Sequence, residues 1–399
     1  MRKEKVIIIG AGIVGLATAY QILRKHPGID LTILEKESDI CQHQSGHNSG
    51  VIHSGIYYKP GGLRATNCIR GYKMLIDFCN ENEIQYDICG KIIVATRKQQ
   101  LAALHNIYER GLANGLQNLK MLQPEEMKEI EPHVAGLKGI YVPQTGICDY
   151  RMISAKYLEH IHTLGGQLQT NQRVQDIKVT SSGVDIMTDR QTLSSSYLIN
   201  CAGLYSDKLA RMTNKKLGLQ ILPFRGEYYK IREERKYLVK NLIYPAPDPD
   251  FPWLGVHFTR MIDGGLEAGP NAVLAFRREG YKKLDINISE LWETLRFKGF
   301  HKMASRFWRQ GLEEYRRSFS KKLFTRSLQA LVPEIREEDL VSGGAGVRAL
   351  ACSEDGSLID DFVMLDNERI MNVCNAPSPA ATSSLSIGLK ISEWLDPKL

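Results

Sequence analysis

The run Val6-Ile-Ile-Ile9 is apolar and β-branched, and glycine follows it, which predicts a short strand buried on both faces. After the turn Gly10–Gly15, apolar positions at helical spacing predict a helix to about Lys25, closed before Pro27. Leu31–Leu34 predicts a second strand, completing a βαβ unit. A Gly- and Ser-containing loop is expected over 40–62. Helices are expected at 63–80, 99–111, 124–129 and 152–164, and a strand at Lys91–Ala95. Alternation predicts strands at Val174–Val179 and Val184–Met187, and Ser194-Ser-Ser196 reads as a turn. Tyr197–Asn200 reads as a strand entering a small-residue turn. Residues 216–290 read as β-rich, with a loop at Pro245–Pro252, and 291–328 as helical. The segment 340–399 reads as glycine-rich turns, a strand near 370–373 and a helix from about Thr382.

The turn carries the first chemistry. Gly10-Ala-Gly12-Ile-Val-Gly15 follows a strand and opens a helix, and Glu35 lies twenty residues beyond Gly15 at the end of the second strand. This is a dinucleotide-binding fingerprint: Gly10 for the tight turn, Gly12 for pyrophosphate approach, Gly15 for helix–sheet packing and Glu35 for the ribose hydroxyls. The fingerprint alone does not separate NAD from FAD. Leu198–Gly203, and the small-residue loop Asn372–Leu385 opening a helix, suit further closures over a flavin.

Together with Glu35, the strings Gly10–Gly15, His47-Asn-Ser-Gly-Val-Ile-His53, Asn200-Cys-Ala-Gly203, Gly269-Pro-Asn-Ala272, Ala345-Gly-Val-Arg348 and Asn375–Ser383 resemble the D-amino-acid-oxidase superfamily of FAD enzymes. Gly46–Tyr58, Pro223–Tyr228, Leu254–Gly264 and Gly269–Tyr281 resemble the L-2-hydroxyglutarate oxidase/dehydrogenase family over essentially the whole chain. The resemblance implies an α/β fold: a Rossmann-like FAD-binding domain plus an α+β substrate domain with a mixed or antiparallel sheet. The FAD domain is expected from 1–85, 140–215 and 335–399, and the substrate domain from 86–139 and 216–334. It implies FAD contacts from Gly10, Ala11, Gly12, Ile13, Val14, Gly15, Glu35, Lys36, Ser45, His47, Asn48, Ser49, Gly50, Val51, Val174, Cys201, Ala202, Gly203, Arg348, Asn375, Pro377, Ser378, Pro379, Ala380, Ala381 and Thr382.

The implied reaction is oxidation of L-2-hydroxyglutarate to 2-oxoglutarate, with the C2 hydride passing to flavin N5 and electrons leaving to membrane quinone or oxygen. Such chemistry needs a base for the hydroxyl proton and cations for the dicarboxylate. A neutral imidazole suits the base. His53 and His257 are the favoured active-site histidines, with the choice between them open. Arg348 matches a position that commonly holds a substrate carboxylate in this superfamily, and its guanidinium offers a bidentate fork. Arg225 and Arg260 are further candidates, and Tyr57 and Tyr58 offer hydroxyls. An amine or amino-acid oxidase, and a non-catalytic FAD-binding membrane adaptor, are the rival readings.

Other features narrow the classes. Cys41, His43, His47 and His53 fit no common zinc spacing, so no metal is expected. The histidines of Glu159-His-Ile-His162 do not share a helix face and read as surface residues. Eight scattered cysteines without a CxxC pair read as free thiols in a reducing compartment. Arg2, Lys3 and Lys5 before an apolar stretch mimic a signal peptide, but the spaced glycines explain that stretch better. The charge excess is +7, and segment 291–326 holds ten basic and three acidic residues, so it contains all of it. That segment also carries Trp292, Phe297, Phe300, Phe307, Trp308, Tyr315, Phe319 and Phe324. A basic aromatic helix suits a membrane interface, and nucleic acid is not expected. The expected location is cytoplasmic, peripheral on the inner face of the cell membrane.

Overall fold

The computed structural model describes residues 4–247 and 255–399. Much of the Pro245–Pro252 loop, Leu254, and the basic Arg2 and Lys3 lie outside the described residues. The βαβ unit forms as expected, with strand Lys5–Ile9, helix Ile13–Lys25 and strand Asp30–Leu34. Lys5–Ile9 pairs in parallel with Asp30–Leu34 on one side and Tyr197–Asn200 on the other. The sheet has six strands, ending in Gln167–Gln169 at one edge and in Ile370–Asn375 and Val363–Asp366 at the other.

Alternation along the first strand assigns its two faces. Val6 and Ile8 pack with the helices Ile13–Lys25, Tyr150–Thr163 and Ser384–Leu395. Ile7 and Ile9 face a cluster containing Ile177, Val184 and Ile186, from a small antiparallel sheet that covers the other side. Both faces are therefore dry, which is why the run is apolar throughout.

The second sheet has nine strands and is mixed. Lys91–Ala95 runs parallel to Leu242–Pro245 and antiparallel to Lys138–Val142. Its longest pairing joins Leu219–Ile231 to Leu340–Ser353, with Phe224 opposite Arg348. The second partner of that pair corrects the reading of glycine-rich turns. Gly346 is needed there because the strand passes close to the His47 backbone, where a Cβ would stand 2.5 Å from the His47 carbonyl oxygen. The segment 335–399 thus contributes to both sheets, and the strand Lys138–Val142 of the second sheet straddles the boundary expected near 140.

Other departures are local. Thr192–Ser195 is a strand where a turn was expected, held by pairing with Val184–Thr188. Helix Ser206–Thr213 has a polar sequence that hid it, and its fully buried Asp207 pairs with Arg278 at 2.5 Å. The helical, basic stretch is three helices, Ile288–Arg296, Lys298–Phe319 and Lys321–Gln329.

Candidate active site

A cavity of about 980 Å³ runs between the two sheets. It stands at the upper end of the ~300–1,000 Å³ of small-molecule sites, as a dinucleotide with a small acid requires.

One end is the fingerprint. Gly10 has φ +102°, and a Cβ there would stand 2.6 Å from the Cys201 carbonyl oxygen; a Cβ on Gly15 would fall 2.0 Å from the Gly10 carbonyl. The turn can therefore hold only glycine at these points. Glu35 fixes it further, with one carboxylate oxygen accepting from Ala11 N–H at 2.8 Å and the other from Glu37 N–H at 3.0 Å. Ser45 Oγ accepts from Ile13 N–H at 2.9 Å, and no side chain caps the helix from Gly12. Ser45 thus takes the first helical amide, while Gly10 and Gly12 place no side chain over the turn, which suits a phosphate.

At the other end, elements far apart in sequence converge. His53 follows the short strand Val51–Ile52, and its N–H donates to Thr382 Oγ1 at 3.1 Å. Its Nε2 lies 3.3 Å from Ser378 Oγ. His257 opens the strand His257–Arg260 and is 6% exposed. Its Nδ1 donates to the Gly255 carbonyl at 2.9 Å, which leaves Nε2 as the acceptor nitrogen. Burial pushes both imidazoles down to about 3; Lys91, Arg64 and His257 add to the effect at His53, and Arg348 and Lys91 at His257. Both rings are neutral at pH 7. Burial pushes the Tyr228 hydroxyl up and the Arg348 guanidinium counters that shift, and the Gln44 side-chain oxygen accepts from Ala349 N–H at 3.0 Å, tying the Arg348 strand to the loop after the fingerprint.

Of the residues expected at the site, the cavity is lined by Gly10, Gly12, Ile13, Val14, Glu35, Lys36, Ser45, His47, Asn48, Ser49, Val51, His53, Tyr57, Tyr58, Val174, Cys201, Ala202, Gly203, His257, Arg348, Asn375, Pro377, Ser378, Pro379, Ala380 and Ala381. Others are placed behind the wall. Ala11 and Gly15 lie in the helix–sheet contact, and Gly50 packs on the Cys148 carbonyl. Thr382 is fully buried, its hydroxyl engaged by His53 N–H and by Tyr150 at 2.8 Å. Arg225 is turned away from the cavity. Its guanidinium donates to Glu227 at 2.9 and 3.1 Å and to the Lys282 carbonyl at 3.0 Å. Arg260 is likewise engaged, by Asp87.

The residues of the Cys41/His43/His47/His53 string do not converge. Instead Glu37, His43 and Glu279 approach one another with the Lys36 ammonium among them. His160 is half-buried, not a surface residue, with Tyr20 and Phe78 against its ring. Sequence reasoning missed Arg64, Tyr228 and Tyr244 on the wall, and Lys91 behind it. Arg64 donates to the Ser378 carbonyl at 2.6 and 3.0 Å and pairs with Asp360, strapping the C-terminal loop to helix Leu63–Glu81. Tyr228 closes the string Pro223–Tyr228, whereas Arg64, Tyr244 and Lys91 stand in no motif and only the tertiary fold brings them out.

The family model for FAD-dependent oxidoreductases matches residues 5–394. The chain is 56% identical over 391 residues to L-2-hydroxyglutarate dehydrogenase of Indibacter alkaliphilus, covering 98% of each chain.

The chain belongs to the L-2-hydroxyglutarate dehydrogenase family of FAD-dependent oxidoreductases.

The family member of Escherichia coli strain K12 is 44% identical, over 96% of this chain and 91% of that one. The human mitochondrial L-2-hydroxyglutarate dehydrogenase is 41% identical, over 97% and 88%. Among solved structures, L-α-glycerophosphate oxidase of Mycoplasma pneumoniae, with FAD bound, superposes with TM-score 0.80 at 22% identity, covering 99% of this chain and 95% of that chain. Glycine oxidase of Geobacillus kaustophilus gives 0.74 at 16%, covering 99% and 95%. The protein is thus an FAD-dependent 2-hydroxy acid oxidoreductase of this family. The bare fingerprint turn, the helix it opens and the acid at Glu35 fit the nucleotide half of FAD.

Proposed function

We propose that the protein oxidises L-2-hydroxyglutarate to 2-oxoglutarate and that His257 is the base. FAD, when bound, supplies the two-electron acceptor. His257 takes the substrate hydroxyl proton on Nε2, because the Gly255 carbonyl holds the other ring nitrogen protonated. His53, fixed between Thr382 and Ser378, orients the hydroxyl from the opposite wall. Arg348 holds the carboxylate next to the reacting carbon, with Tyr228 also on the cavity wall. In this reading the parallel sheet carries FAD and the mixed sheet carries the substrate side, since Tyr228, Tyr244, His257 and Arg348 all come from the latter.

The observation that carries the reading is the convergence of two neutral histidines and Arg348 on one cavity with the dinucleotide turn. Anaerobic titration of the purified yellow protein with L- and D-2-hydroxyglutarate tests it. The L isomer should bleach the flavin; no bleaching removes the substrate assignment.

The helices from Ile288 to Gln329 support a membrane contact through which electrons reach quinone. Their aromatics divide. Phe297, Phe300 and Phe307 pack inward on Leu222, Phe224 and Cys352. Trp292, Trp308 and Phe319 face out, 59%, 58% and 71% exposed, and Leu284 and Ile288 are more exposed still. Arg296 and Arg309 lie over the two tryptophans. Exposed aromatics with guanidinium groups over them suit anionic lipid. Among the described residues no helix is long and apolar enough to cross a membrane.

A further inference from the structure

Lys91 opens the strand Lys91–Ala95, and its side chain is 1% exposed. A buried ammonium is ordinarily answered by a carboxylate. Among the described residues no carboxylate stands within ion-pair distance of it. Its Nζ lies instead 4.6 Å from the ring centroid of Tyr57 and 4.8 Å from that of Tyr244. Both tyrosines line the cavity, and the buried Tyr57 hydroxyl has no hydrogen-bond partner.

The other titratable groups around Lys91 supply no anion. Cys68, from helix Leu63–Glu81, is pushed up to about 12 by burial, and burial raises Tyr57 and Tyr244 as well. His53 and His257 are neutral, and the remaining cations are Arg64, near His53, and Arg348, near His257. Arg348 also lacks an acidic partner within ion-pair distance among the described residues. The site therefore holds two cations that act on His257, Lys91 and Arg348, without an acidic partner among the described residues.

We propose that Lys91 answers the second carboxylate of the substrate, acting through the Tyr57 and Tyr244 rings that wall the cavity in front of it, and so sets the preference for dicarboxylates over monocarboxylates. The inference rests on the substrate reading above and deepens it. Arg348 takes the carboxylate beside the reacting carbon. The distal carboxylate sits before the Tyr57 and Tyr244 rings, with the ammonium behind them as its counter-charge. Lys91 is thus a positioning residue, out of contact with the reacting atoms.

A second consequence follows from burial, which holds Lys91 down to about 7. In the free holoenzyme above that pH most of its side chains are neutral. An anion placed nearby favours the charged form, so binding of a dicarboxylate takes up a proton.

Two measurements on the FAD-loaded protein test the proposal. In calorimetric titrations at pH 8, in buffers of different ionisation enthalpy, 2-oxoglutarate should bind wild type with proton uptake. The monocarboxylate 2-oxobutyrate should not, and Lys91→Met should show no uptake with either. In turnover, the kcat/KM ratio of L-2-hydroxyglutarate to L-2-hydroxybutyrate should fall about ten- to hundredfold in Lys91→Met. Lys91→Arg should recover part of it. Methionine replaces an uncompensated buried cation with an apolar chain of similar length, so the variant should fold; the proton uptake of wild type needs no variant. Equal losses on both substrates, or an unchanged ratio, overturn the role of Lys91, as does binding of 2-oxoglutarate without proton uptake. A wild-type flavin that L-2-hydroxyglutarate does not bleach overturns the substrate reading itself, and that result appears before any variant is made.

Discussion

Tyr244 stacks on His257 with ring centroids 3.8 Å apart and an interplanar angle of 29°. With Nδ1 bonded to the Gly255 carbonyl, the stack holds the imidazole in one plane and one tautomer. His257→Gln should therefore lower kcat by about 10²–10⁴-fold while the flavin stays bound. Tyr244→Phe keeps the stack and should cost far less than Tyr244→Ala. Single-turnover flavin reduction separates these outcomes from any change in product release.

Acid should affect stability through His257 before it affects flavin reduction. The His257 pKa is lowered from the ordinary 6.5 to about 3 by burial. At pH above 6.5 neither folded nor unfolded chain protonates it, so it costs nothing. As pH falls from 6.5 towards 3 the unfolded chain binds a proton that the native site refuses, and stability is lost. Below about 3 that loss levels off. Thermal melts should show Tm declining across this window, with a shallower decline in His257→Gln. Between pH 5 and 8 flavin reduction should show no acid limb from this imidazole.

Arg348 sits opposite Phe224 in the long antiparallel pair, so its backbone is secured independently of its side chain. Arg348→Ala should leave the melting temperature nearly unchanged and raise KM for L-2-hydroxyglutarate about tenfold or more. Arg348→Lys should fall between, because an ammonium keeps the charge and loses the fork. Steady-state kinetics with a melt on the same sample checks both.

Glu35 holds two backbone amides besides the ribose contact proposed for it. Its oxygens hold the Ala11 and Glu37 amides, so Glu35→Ala should lose ribose contact and loosen the turn together. Lower flavin occupancy after dialysis is expected, with the apoprotein destabilised by about 1–3 kcal/mol. Glu35→Gln retains one acceptor and should retain more flavin.

For the outward aromatics, replacing Trp292, Trp308 and Phe319 by serine should abolish sedimentation with anionic phospholipid vesicles. Flavin reduction by substrate in solution should be unchanged, since none of the three lines the cavity. Equal sedimentation of wild type and variant would remove these side chains from the contact.

The nucleotide half was legible because its determinants are local. A β-branched run, three spaced glycines and an acid at the end of the next strand each act within one βαβ unit, and the backbone leaves them no alternative arrangement. Motif strings also drew attention to His53, His257 and Arg348, which lie far apart in sequence. Arg225 was misjudged for the converse reason. It occupies a matching string, yet Glu227, two residues along its own strand, neutralises it. Thr382 shows the same limit, being near the cavity but turned to support His53.

The sequence by itself thus carried the resemblance to the family, the dinucleotide turn and the candidate histidines, since motif strings and short spacing are local. Pairing across the long strands decided the rest. Leu340–Ser353 reads as loose glycine-rich chain until Leu219–Ile231 gives it a partner, and only then does Arg348 reach the cavity. Lys91 reads as the charged start of an ordinary strand. Burial behind Tyr57 and Tyr244, from segments on either side of it in the sequence, is what leaves its charge without an acidic partner among the described residues. Desolvation depends on what surrounds a group in space, and for Lys91 that surrounding is assembled only by the tertiary fold.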